Sequence, residues 1–82
     1  SADADKFSAS WQKDHPKDVA FRMYLADSAT ARKEYAPAEK MYLNVIQIQP
    51  NNAAAYNNLA WVSGKLGKDS AVGYAEKALA LR

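Results

Sequence analysis

His15 is the only histidine of the 82-residue chain, and it sits in the link Asp14-His15-Pro16. A hydrolytic site needs a base within reach of a nucleophile and a third group to orient the base. No serine stands at a meaningful spacing from His15, and there is no cysteine. With no thiolate and no second imidazole, a metal site at His15 would rest on carboxylates alone, so the residue reads as part of a solvated link. Asp3, Asp5 and Asp14 are too dispersed for a calcium loop. No glycine-rich phosphate loop is present. Lys6, Lys13 and Lys17 make a mild basic strip, but a net charge of +2 is too small to point to nucleic acid. These residues predict no enzyme, no cofactor and no metal. What remains is recognition chemistry. The stretch NNAAAYNNLAWVSGKLG, residues 51–67, sets amides beside large aromatics. An amide both gives and accepts hydrogen bonds, and tryptophan and tyrosine offer contact area with a polar tip.

The elements that would carry these groups are helices. Eighty-two residues with no disulfide hold one small core and rely on close packing of regular elements. No apolar run is long enough to cross a bilayer, and no signal peptide is visible. Pro16 and Pro50 lie 34 residues apart, and Ala20/Ala54, Leu25/Leu59 and Ala26/Ala60 share that offset. A fixed offset of this length is the mark of a helical array. Phe21, Met23, Leu25, Ala26 and Ala29 keep helical spacing after Asp18, a candidate N-cap. Lys33-Glu34-Tyr35 reads as a bend, and Pro37 suits the first turn of the next helix. Ala38, Met41, Tyr42, Val45, Ile46 and Ile48 form its apolar stripe, which stops before Pro50. Val45-Ile46-Gln47-Ile48 has strand propensity, but it continues the stripe and is read as helix. Asn52 caps a third helix, ended by Gly67, and Asp69 caps a fourth. Phe7 and Trp11 belong to an opening helix, making five in all and essentially no strand.

This pattern resembles the tetratricopeptide repeat, whose signature is W-x2-L-G-x2-Y, A-x3-F, A and P. The first full unit carries Leu25-Ala26-x2-Ala29, Ala38-x3-Tyr42, Val45 and Pro50. The second carries Tyr56-x2-Leu59-Ala60-x2-Ser63, Ala71-x3-Ala75 and Ala78. Residues 1–16 then resemble the second helix of a truncated unit, 17–50 a full repeat, and 51–82 a slightly shortened one. Arg22 departs from the usual large aromatic, and Lys33 from the turn glycine. The second bend is a residue short, so later offsets are 33 (Ala38/Ala71, Val45/Ala78). The implied fold is an all-α superhelix of helical hairpins in one domain. Alanines stand where helices cross, because small side chains allow close approach. Leucine at Ala26 or Ala60 is therefore expected to overpack the crossing.

The resemblance implies a non-catalytic scaffold that binds a protein or peptide in a concave groove lined by the first helix of each hairpin. The groove residues would be Met23, Tyr24, Asp27, Asn57, Asn58, Trp61 and Lys65, with Ala20, Thr30 and Ala54 beside them. Tyr56, Leu59 and Ala60 would face the neighbouring helix. The plainer alternative packs Trp61 on a neighbouring helix and leaves the asparagines bonding nearby groups, Asn58 between repeats. Chaperone-binding members of the family clamp a C-terminal carboxylate with lysine and asparagines. Met23 and Asp27 occupy two of those places here and only Asn58 agrees, so a carboxylate ligand is disfavoured by the charge of Asp27.

The last helix carries a wide stripe, Ala71, Tyr74, Ala75, Ala78 and Leu79, with no polar capping helix after it. Terminal repeats ordinarily need one. Either further repeats follow in a longer chain, of which this is a fragment, or the stripe pairs with a second copy as an assembly module. Phrases such as HPKDVAFRMYLADSA and QPNNAAAYNNLAW further resemble the repeat-rich lipoproteins of the bacterial PEP-CTERM/exosortase system. That likeness implies a setting in exopolysaccharide production and protein sorting at the cell envelope.

Overall fold

The computed structural model describes residues 18–82, and the expected opening helix with Phe7 and Trp11 lies outside them. Four helices follow one another: α1 Val19–Ala31, α2 Tyr35–Ile48, α3 Ala53–Lys65 and α4 Ser70–Ala80. Among the described residues there is no strand. Val45-Ile46-Gln47-Ile48 is the last turn of α2, where the apolar period prevails over β propensity. Each helix packs on the next in the chain, so α1–α2 and α3–α4 are hairpins stacked through the α2–α3 contact. No helix among the described residues is long and apolar enough to cross a membrane.

The two hairpins turn by one device. Beyond α1, the Glu34 N–H donates to the Ala29 carbonyl at 2.9 Å, and the Lys33 N–H to Thr30 at 2.9 Å. Beyond α3, Lys68 N–H donates to Ser63 at 2.9 Å, and Gly67 N–H to Gly64 at 3.0 Å. Both are Schellman closures, and both require a left-handed residue after the C-cap. Gly67 supplies it at φ 72°, and Lys33 is forced to the same place at φ 63°. The lysine at the glycine position thus keeps the turn and carries its steric cost.

The caps divide by backbone angle. Asn52 is extended (ψ 95°), and its Oδ1 accepts from the Ala55 N–H at 2.9 Å. Asp18 (ψ −1°) and Asp69 (ψ −24°) are already near-helical, and neither side chain caps its helix. A cap needs a non-helical residue whose side chain can reach back over the first turn. Asp18 instead accepts from Arg22 Nε, and that guanidinium holds its carboxyl below the usual range.

The core runs through three helices. Ala26 and Ala29 of α1, Ala38 and Tyr42 of α2, and Leu59 and Val62 of α3 form one buried cluster. Val19, Val45 and Ala55 form a second, and Met23 and Ile46 pack against both. Ala26, Ala29 and Ala38 are fully buried, as expected of small residues where helices cross. Ala60 is not: it is only partly buried, because it borders a hollow shared with α4 that no further helix among the described residues fills. The overpacking expected at Ala26 therefore does not carry over to Ala60. The stripe of α4 splits for the same reason. Ala78 is buried and Tyr74 tilts against Tyr56 of α3, while Val72 and Leu79 are 65% and 70% exposed. Ala78, 33 residues after Val45, is buried as Val45 is, whereas Ala75, 33 after Tyr42, is exposed.

Polar groups tie the hairpins together. Glu39 on α2 accepts from Ser63 Oγ on α3 at 3.4 Å and from Lys68 Nζ at 2.8 Å. Within the first hairpin, Arg22 Nη1 on α1 donates to Asn44 Oδ1 on α2.

Candidate partner-binding groove

α1 and α3 are the first helices of successive hairpins, and α2 runs beneath the space between them. Ala38 and Tyr42 are four residues apart, so both project from one face of α2 into that space. Tyr42 is 1% exposed, and its ring fills the core. Its hydroxyl emerges at the floor of a hollow of about 260 Å³, walled by Asp27 and Thr30 of α1 and by Asn58 and Trp61 of α3.

The hydroxyl donates to Asp27 Oδ1, and Thr30 Oγ1 lies 3.4 Å from it while donating to the Ala26 carbonyl at 2.9 Å. Asn58 Nδ2 donates to the same Asp27 oxygen at 3.2 Å, joining one hairpin to the next. Asn57 Nδ2 reaches Asn58 Oδ1 at 3.5 Å. Burial, reinforced by the bond to Asp27, pushes the Tyr42 hydroxyl up to about 12. It is therefore a neutral donor at any physiological pH. Asp27 is held by two neutral donors and enters no ion pair among the described residues.

Trp61 is both packed and open. The ring of Tyr35, at the start of α2, meets it edge to face at 5.7 Å between centroids, and Lys65 Nζ lies 4.9 Å from its centroid. The indole nevertheless remains 51% exposed. It also borders a second hollow of about 390 Å³, with Asn57 and Ala60 on α3 and Ala71, Val72 and Ala75 on α4.

The structure thus gathers Asp27, Asn58 and Trp61 around one hollow, with Lys65 over the indole. Asn57 faces the second hollow. Met23 is partly buried against both core clusters and does not line the first hollow, since its side chain is taken up by core packing. Tyr24 is 64% exposed and stacks on Phe21 at 6.5 Å, apart from the hollow. Tyr42 and Tyr35 were read from the sequence as core and bend residues only. The signal for Tyr42 is the hydroxyl added where the A-x3-F pattern has phenylalanine. Nothing in the local sequence marks Tyr35.

Paired helices closed by a repeated turn and stacked in register define a helical-repeat protein. The tetratricopeptide repeat family model matches residues 41–71, and this part of the chain is similar to a tetratricopeptide repeat. No curated protein and no solved structure matches the chain. Tetratricopeptide repeats are typically non-catalytic scaffolds for contacts between proteins.

Proposed function

We propose that the chain is a non-catalytic interaction module that holds a segment of a partner protein in the groove between α1 and α3. The observation that carries this reading is the half-exposed indole of Trp61 beside a preset polar floor. Tyr35 and Lys65 fix the ring, and Tyr42 and Asn58 fix Asp27. Side chains already ordered in the free protein lose little entropy on binding, and a central aromatic with a polar surround is the usual make-up of an energetic hot spot. Asn58, at the hollow, gives one amide hydrogen to Asp27 and keeps a second able to pair with a partner's backbone. The likeness of several phrases to repeat-rich envelope lipoproteins supports a partner within a bacterial envelope sorting or exopolysaccharide system. Selection of random peptides displayed against the chain tests the groove. Trp61→Ala is expected to weaken the selected peptides by about tenfold or more with little loss of fold. Unchanged affinity would contradict the reading.

A second reading has its own support. Val72 and Leu79 on α4 are exposed, and Val72 with Ala71 and Ala75 forms an apolar wall of the second hollow. Such a surface suits self-assembly, although Tyr74 and Ala78 of the expected pairing stripe are turned onto α3. Sedimentation across a concentration series separates the two readings. Self-assembly requires an oligomer that Leu79→Glu disperses and that Asp27→Asn, at a residue lining the first hollow only, leaves intact.

A further inference from the structure

We propose that the hollow between α1, α2 and α3 receives an arginine side chain of the partner, its guanidinium paired with Asp27 and laid against Trp61. This rests on the groove reading and names the chemistry of its occupant.

Three observations converge on a cation of that shape. First, the two hydrogen bonds to Asp27 both fall on Oδ1, leaving Oδ2 without a donor among the described residues. Both donors are neutral, so the carboxylate is oriented but its charge is not balanced. Second, the wall beside it is an indole, whose face attracts cations. Lys65 already lies 4.9 Å from that ring. Third, Thr30 and the Tyr42 hydroxyl add polar oxygens at the floor. Arginine fits this set better than lysine. Its planar group stacks on an aromatic while donating in its own plane, and it gives up water more readily than an ammonium. An acidic segment would meet the unbalanced charge of Asp27 and be repelled.

Lys65 then acts as a weak competitor for the indole. Removing its charge helps a basic ligand and harms an acidic one, so the substitution reports the sign of the occupant's charge.

The test titrates the 82-residue chain with the blocked tripeptide Gly-Arg-Gly and follows the Trp61 indole and Asn58 amide signals by NMR. The citrulline analogue, alike in shape but uncharged, and Gly-Glu-Gly serve as controls. Saturable shifts of both signals are expected with arginine alone. They should weaken about tenfold in Asp27→Asn, weaken with added salt, and strengthen in Lys65→Gln. Asp27→Asn keeps an acceptor for Tyr42, and its thermal midpoint checks that the fold survives. Equal response to citrulline, a stronger response to glutamate, or none to arginine would overturn the proposal. Display-selected peptides separate the two levels. Peptides that need Trp61 but carry no basic residue sink the arginine assignment and leave the groove standing, whereas peptides indifferent to Trp61 sink both.

Discussion

Tyr42 is the residue on which core and groove meet. Its ring belongs to the buried cluster, and its hydroxyl orients Asp27. Tyr42→Phe keeps the packing and removes the bond, at an expected cost of about 1–2 kcal/mol in thermal or urea unfolding. The pH dependence is more specific. The folded-state value is raised above that of the unfolded chain, because the phenolate would be buried beside a carboxylate. The stabilisation is therefore complete below about pH 10 and lost as pH rises toward about 12. Between those limits the wild-type midpoint should fall more steeply than that of Tyr42→Phe; parallel curves would refute the assignment. The family resemblance places Asp27, Asn58 and Trp61 among the groove candidates, on the first helix of each hairpin. It does not show the bond from Tyr42, which depends on how deeply α2 lies beneath α1 and α3.

The helices themselves are largely readable from apolar period and punctuation. The offset of 34 places Lys33 opposite Gly67, and the structure gives both the same left-handed turn. A non-glycine residue in that region bears a cost of about 1–2 kcal/mol, partly offset by glycine's greater freedom when unfolded. Lys33→Gly is thus expected to stabilise by about 0.5–1 kcal/mol, measured as a raised melting midpoint. Gly73 lies within α4, and a Cβ there meets no heavy atom within 4 Å. Gly73→Ala should stabilise by about 0.5–1 kcal/mol. The caps were less readable. Asp18, Asn52 and Asp69 are all good capping types, yet only Asn52 has the extended backbone that capping needs. That angle is set by the incoming chain and not by the residue type.

Across the whole molecule, stability comes from stacking one hairpin on the next. Leu59 of α3 is fully buried among residues of α1 and α2, and Glu39 ties α2 to the end of α3. Ala26 and Ala60 are equivalent by repeat, but only Ala26 is fully buried, while Ala60 borders the open hollow against α4. Ala26→Leu should cost about 1–3 kcal/mol by overpacking, and Ala60→Leu about half of that or less. Equal losses would contradict the stacking described. Sequence equivalence could not separate these alanines, because burial in a repeat depends on the neighbouring unit as well as on the unit itself.

The groove's role as a binding surface is tested most directly by mapping a display-selected peptide onto the chain by NMR. The largest shifts are predicted at Asp27, Asn58 and the Trp61 indole, with Val72 and Leu79 unmoved. Shifts confined to the exposed residues of α4, with Asp27 and Asn58 silent, would contradict it.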